Sequence, residues 1–406
     1  MSKRPGSLLL LAIATVFTAA WLQSKPSRYL YLWAGNGTMK QMGSDVIAVI
    51  DADPSSANYA KVINVLTVDA MGGMPHHSEF DTPANATSIF VNDYHLSKSY
   101  MINFTNPAKP RVAGTVALTP GAHSPHSFAR LANGHVIATI QFGDEKIPGE
   151  PGGIAEFDSD GKLIRYSSSR DDSFHDPRIR TYALATLPKI DRLITTSSAM
   201  DTMHVANTVQ VWRLSDLKLL KTLEVPQEAG IDSAWKYPFE VRAMPDGKTA
   251  LVNTYNCGFY HITNLAGDPR LARVMTMDLP RNVGCSVPVI AGNYMVMPIA
   301  YAHRYATIDI SDPAHPKEVA SLSTDTTFFP HWMARDPMSD RVVVTDQGDG
   351  PPFIMIGHFD TKTGKLWWDD KFRDAGASKP GVSFENVSWP NGMKGAVRPH
   401  GALFVR

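Results

Sequence analysis

Apolar and polar positions alternate along most of this chain in short β-rich runs, paired about a polar turn that contains Asp, Gly or Pro. IAVIDADPSSANYAKVINVL, YMINFTNPAKPRVAGTVAL and ATIDISDPAHPKEVASLS are three copies of this unit. Seven copies occur, and the residue before the turn falls at Asp51, Asn103, Asp158, Arg213, His261, Asp309 and Asp360. The intervals are 52, 55, 55, 48, 48 and 51 residues. A second pair of runs precedes most of these hairpins, as in HSFARLANGHVIATIQF, FEVRAMPDGKTALVNTY and HWMARDPMSDRVVVTDQ. Four strands per unit at such a period predict an all-β, seven-bladed β-propeller. No amphipathic helix of useful length interrupts the pattern.

The unit nearest the N-terminus lacks its first strand. Tyr29–Gly35, Val46–Asp51 and Lys61–Val68 read as its second, third and fourth strands. The missing strand stands at the other end of the chain, where RPHGALFVR (Arg398–Arg406) matches PHSFAR and PHWMAR. The C-terminal strand is therefore expected to pair with the N-terminal blade and close the ring, which removes the free edges of an open array. Residues 25–406 then form a single propeller domain. Residues 1–24 read differently: Lys3 and Arg4 precede an uncharged stretch from Leu8 to Leu22, followed after Thr18-Ala19-Ala20 by the folded part. That is the pattern of a secretory signal peptide, with an uncleaved anchor as the alternative, and it predicts a periplasmic or otherwise exported protein.

Composition narrows the function. Hydrophobic residues make up 43% and charged residues 19%, enough apolar side chain for a core and too much for disorder. Lys+Arg and Asp+Glu are equal at 39 each, so no net field favours nucleic acid or an anionic membrane surface. Two cysteines exclude a disulfide scaffold and a CxxC-type zinc module. Cys257 and Cys285, at the ends of neighbouring blades, read either as a disulfide or as a pair of rim thiols.

The 14 histidines are the chemically informative feature. In a propeller the start of each innermost strand faces the mouth of the central channel. Those starts read MPHHSEFD, SPHSFAR, RTYALA, YPFEVR, SVPVIA, FPHWMAR and RPHGALF, so His76 and His77, His126, His331 and His400 enter four contiguous blades, each after a proline. His123, in the preceding loop, is within reach of the same place. Packing has no reason to select imidazole repeatedly at one axial position, and a shared metal site is the expected explanation. An imidazole set without thiolate suits copper, zinc, iron or nickel rather than magnesium or calcium. Glu79 and Asp81 follow the doublet as candidates to orient imidazole, and Glu79 also as a proton acceptor. His95, His204 and His303 fall on the same face as rim residues, whereas His135, His261, His315 and His358 belong to outer strands or turns.

With these residues in view the chain resembles the selenium-binding protein family, whose bacterial members include copper-dependent methanethiol oxidases. The resemblance rests on DVIAVIDADPSSANYAKVINVL, the HHS doublet at His76–Ser78, the His123-Ser124-Pro125-His126 loop, VQVWRL, YPFEVR, TIDISDPAHP and the C-terminal His400. It implies copper at His76, His77, His126 and His400, with His123 as a further ligand. His331 lies outside the family's ligand set and rests on its position in the blade, as a catalytic residue beside the metal. Glu79 joins it as the other candidate for proton transfer. The implied reaction takes methanethiol, oxygen and water to formaldehyde, hydrogen sulfide and hydrogen peroxide, so the expected partners are a small thiol and O2. The family's cysteine shortly after the doublet is missing from EFDTPANATS, which argues against selenium binding through that thiol, and the extended tail is missing after GALFVR. A non-catalytic metal-binding or interaction propeller of the cell envelope is the alternative. A calcium-centred propeller hydrolase ranks last, since the strand starts carry His, Tyr and Phe rather than carboxylates.

Overall fold

Each sequence repeat forms an antiparallel sheet, and seven sheets make a propeller ring in the computed structural model, which describes residues 25–36, 43–81, 83, 86–118, 120–200, 205–226, 237–280, 283–348 and 350–406. The signal-like segment 1–24 and His204 lie outside the described residues. Among those described, no helix is long and apolar enough to cross a membrane. Blades one to seven are numbered by their innermost strands: Pro75–Ser78, His123–Arg130, Thr181–Leu187, Pro238–Ala243, Val289–Ala291, Pro330–Arg335 and Val397–Val405.

The repeat has a local cause. Asp51, Asp158, Asp309 and Asp360 each accept a hydrogen bond through Oδ1 from the backbone N–H two residues on, and Asn103 does the same to Thr105. A side chain that mimics a backbone turn sits at the end of the third strand in these blades and starts the hairpin to the fourth. Burial falls from the axis outward. Ser44–Asp51, a third strand, is buried along nearly its whole length, whereas the outer strand Lys317–Ser323 is mostly exposed. Third strands accordingly read Val/Ile/Ala, while outer strands mix Lys and Glu with apolar residues. Full burial of Ile47, Val49 and Ile50 contributes about 1.5–3 kcal/mol each.

The ring closes as the termini predicted. The C-terminal strand pairs antiparallel with Tyr29–Asn36, from Tyr29 opposite Val405 to Asn36 opposite Val397. A buried ion pair secures this split blade to blade six: Asp336 accepts from the Ser27 N–H and hydroxyl at 3.0 and 2.6 Å. Arg341, 2.7 Å from the Asp336 carboxylate, donates to the carbonyls of Ser27 and Ala52. Two features depart from the repeat. Blade five has a short inner strand, because Pro288 offers no N–H and Val287 instead donates to the His331 carbonyl at 3.1 Å. Blade six carries an extra strand, Val382–Ser383, on Phe353–Phe359. Cys257 and Cys285, both fully buried, form a disulfide between blade four and the entry to blade five, which settles the choice between bridge and rim thiols.

The inner strands share one irregularity. Pro75 and Ser78 stand opposite Asp93 and Val91, so three steps on one strand meet two on its partner and His76-His77 bulges. The same slip follows Pro125, Thr181, Pro238, Pro330 and Pro399. Five of these six bulges begin with proline, which has no N–H to remove from the ladder.

Two outcomes are expected from this architecture. Deleting Val397–Arg406 removes the central strand of blade seven, and its urea unfolding should lose the single cooperative transition of the full chain; a truncated protein that melts like the parent would refute closure through that strand. Replacing both cysteines by Ser opens a cross-link spanning 28 residues and should cost about 3–4 kcal/mol in the same measurement.

Candidate metal centre

The bulges decide what faces the channel mouth. In blades six, seven, one and two they carry His331, His400, His76 with His77, and His126. The rings of His76 and His400 lie 4.0 Å apart, those of His77 and His126 4.1 Å, His76 and His77 4.3 Å, and His331 and His400 4.6 Å. Nε2 of His76 is 2.8 Å from Nε2 of His126. One nitrogen from each of His76, His77 and His126 falls within 4.8 Å of the others, and all three residues are fully buried.

Hydrogen bonds at the back of the rings set which nitrogen faces inward. His126 Nδ1 donates to the Tyr182 carbonyl at 3.1 Å, which leaves its Nε2 lone pair toward His76. His77 Nδ1 meets Ser127 Oγ at 2.9 Å, leaving Nε2 free of protein partners. His76 Nδ1, His400 Nδ1 and both nitrogens of His331 also have no hydrogen-bond partner. A buried polar atom left unpaired costs about 1–3 kcal/mol, so these nitrogens concentrate unmet demand in one place. Deeper along the strand, Trp332 meets His77 edge to face at 4.8 Å and stacks on Phe80 at 4.3 Å, so aromatic rings pack below the cluster.

Polar residues of the second strands hold the bulges in place. Asn92 accepts from the His77 N–H and donates to the Pro125 carbonyl of the next blade. Thr139 accepts from the Ser127 N–H and donates to the Tyr182 carbonyl; Thr196 does the same for Ala183 and Phe239. Thr345 donates to the His400 carbonyl at 2.8 Å. Sequence reasoning passed over these residues; the signal was a buried Asn or Thr after an apolar run in the second strand.

Above the cluster lies a cavity of about 800 Å³, with His331 and His400 on one side and Tyr182, Phe239 and Tyr255 on the other. The imidazoles are neutral ligands in waiting. Burial pushes His76, His77, His126 and His331 well below the ordinary histidine value, helped by the neighbouring rings. Burial likewise lowers His400 to about 4, against a hydrogen bond to the His76 backbone. Neutral imidazole is the form that binds a metal.

No family model matches the chain. Over 351 residues, 78% of this chain and 75% of the relative, it is 24% identical to methanethiol oxidase of Hyphomicrobium sp. A hypothetical selenium-binding protein from Sulfolobus tokodaii superposes with a TM-score of 0.74 at 15% identity, 94% of each chain being covered. The similarity to methanethiol oxidase supports the resemblance to the selenium-binding protein and methanethiol oxidase family, and the Sulfolobus structure supports its fold. A putative 6-phosphogluconolactonase from Bacteroides fragilis shares the fold at TM-score 0.62 and 13% identity, over 93% of this chain and 98% of that one. At such identities the structural neighbours speak for the fold alone.

Five of the seven residues singled out from sequence come together: His76, His77, His126, His331 and His400. The other two do not. His123 turns outward because Ser124 adopts the left-handed backbone conformation (φ 55°) between it and the bulge. Its ring stacks on Phe142 at 4.7 Å and its Nε2 meets Glu145 at 3.1 Å. Glu79 lies beyond the bulge, fully buried, where its carboxylate accepts two bonds from Arg130 and one from the Phe90 N–H. It ties blade one to blade two and makes no contact with the imidazoles. Asp81 is exposed, and His303 caps the rim by bonding the Phe328 carbonyl at 3.0 Å.

The histidine burial carries a pH signature. Because the folded values lie below 6.5, the unfolded chain binds more protons than the native one once pH drops past that point. Stability of the metal-free protein should therefore fall as pH is lowered from about 7 to about 5. Urea midpoints at the two pH values check this; equal midpoints would mean that the cluster takes up protons without cost.

Proposed function

We propose that this protein is a copper-dependent oxidase of small thiols, acting outside the cytoplasm. The observation that carries the reading is the convergence of five buried, neutral imidazoles, four of which keep a ring nitrogen with no hydrogen-bond partner, in a relative of methanethiol oxidase. The donor set fits copper: nitrogen ligands, no carboxylate among them, and back-side hydrogen bonds that fix the rings. His76, His77, His126 and His400 would hold the metal. When bound, copper supplies one-electron redox chemistry and Lewis acidity toward sulfur.

The chain's own groups do the rest. Tyr182, through its carbonyl, keeps the His126 proton on Nδ1 and away from the centre. Trp332 and Phe80 pack below the cluster, and the substrate and oxygen arrive through the cavity. His331 faces that cavity with neither ring nitrogen engaged, and burial keeps it neutral. It is therefore placed to accept the thiol proton as the sulfur binds. Glu79, saturated by Arg130, has no part in this scheme. The overall reaction would convert a thiol RCH2SH, O2 and water into an aldehyde, hydrogen sulfide and hydrogen peroxide. The exported location is supported by the basic-then-apolar run of residues 1–24 and by the disulfide, which persists in oxidising compartments.

Metal analysis and thiol-dependent oxygen uptake test the reading together. We expect about one copper per chain. His77→Ala, His126→Ala and His400→Ala should each lower copper content with the propeller still folded by circular dichroism. His331→Ala should keep copper and slow oxidation by about 100-fold, the lower range for losing a general base. Zinc without copper after reconstitution, or no oxygen uptake with any thiol, would overturn the proposal.

A further inference from the structure

The cavity is poorly matched to a substrate with two heavy atoms. Its volume of about 800 Å³ falls within the range of roughly 300–1,000 Å³ that accommodates whole drug-sized ligands. Its wall is a file of rings leading away from the histidines. Tyr182 lies 3.7 Å from the His126 ring, Phe239 4.8 Å from Tyr182, and Tyr255 5.7 Å from Phe239. Each comes from the fold in an ordered way, since Tyr182 and Phe239 occupy the bulges of blades three and four. Met200, whose sulfur meets the Tyr182 hydroxyl at 3.6 Å, adds a polarizable surface beside the file.

The polar groups argue against an anionic thiol. Among the described lining residues Arg398 is the permanent cation, and its guanidinium donates to the Gly350 carbonyl at 2.7 Å and sits 3.6 Å from Asp346. A carboxylate-bearing thiol would have to compete with Asp346 for that charge. A flat apolar body, by contrast, finds ring faces and edges along the wall.

We infer that the thiol taken by this site carries a flat apolar body next to the reacting carbon, as in an arylmethanethiol, rather than being methanethiol itself. The inference rests on the oxidase reading above for its chemistry, and on the cavity alone for its selectivity. For phenylmethanethiol the balanced reaction is C6H5CH2SH + O2 + H2O giving C6H5CHO + H2S + H2O2. The carbon loses a hydride equivalent and its C–S bond, water supplies the carbonyl oxygen, and oxygen gains two electrons and two protons. The body must therefore hang from a carbon that bears hydrogen, which excludes thiophenol as a substrate though not as a ligand.

Two measurements decide it. Calorimetry on the metal-free protein should show phenylmethanethiol binding at least about 100-fold more tightly than methanethiol, the scale of two or three aromatic contacts. With copper loaded, kcat/KM for phenylmethanethiol should exceed that for methanethiol, with benzaldehyde and hydrogen sulfide formed in equal amounts. Tyr255→Ala, at the far end of the file, should weaken phenylmethanethiol binding about tenfold. Oxidation of methanethiol with no binding of phenylmethanethiol would overturn the inference and leave the oxidase reading standing. Tight binding of phenylmethanethiol with no thiol oxidised would overturn the oxidase reading while upholding the cavity's preference for an aromatic body.

Discussion

The bulge at the start of six of the seven inner strands is the constraint on which the site depends. A regular strand sends successive side chains to opposite faces, so His76 and His77 could not both reach the cluster from an unbroken ladder. The slip after Pro75 lets them do so, with rings stacked 4.3 Å apart. The cost is a set of backbone groups that lose their ladder partners at a buried position. Asn92, Thr139 and Thr196 take up those groups and bond to the bulge of the neighbouring blade in the same stroke, and Thr345 bonds the bulge of the next blade. The bulges of blades one, two and three are thus fixed by their own blade and tied to the next, which links strands far apart in sequence around the cluster.

Ring closure then links folding to the site. His400 belongs to the last strand and His76 to blade one, and they meet because Val397–Val405 pairs with Tyr29–Asn36. The ligand set spans nearly the whole folded chain, so it does not exist before the ring closes. Clustered imidazoles with unpartnered nitrogens oppose folding, and Ser27, Asp336 and Arg341 supply a buried clamp at that same seam. A metal that binds the native cluster and not the unfolded chain relieves the opposition by mass action.

How much of this was legible depended on whether the determinant was local. The period was, because an Asx turn at Asp51, Asp158, Asp309 or Asp360 needs only its own residues. The split blade was too, since Arg398–Arg406 repeats the Pro-His start of other inner strands. The five clustered histidines followed from that shared phase. His123 did not, because a single left-handed residue, Ser124, reverses the side chain's direction and serine gives no warning of it. Glu79 was misjudged for a different reason: its partner Arg130 stands 51 residues away on the next blade, and no spacing rule connects them. The polar second-strand residues were invisible as a set until the bulges they serve were seen.

One backbone device yields two kinds of surface, and the choice of side chain at the bulge separates them. Blades six, seven, one and two present imidazole there; blade three presents Tyr182 and blade four Phe239. The six bulged positions are divided into an imidazole side and an aromatic side. The dividing line runs between His126 and Tyr182, whose rings lie 3.7 Å apart, with the His126 side chain donating to the Tyr182 backbone carbonyl. Tyr182 therefore serves both sides, orienting a candidate ligand with its carbonyl and opening the apolar wall with its ring. Because the carbonyl belongs to the backbone and the ring to the side chain, substitution at Tyr182 alters the wall while leaving the His126 hydrogen bond in place. On the proposed reading, asymmetry around the axis would let a symmetric fold hold a reacting atom at one edge of its channel and a substrate body at the other.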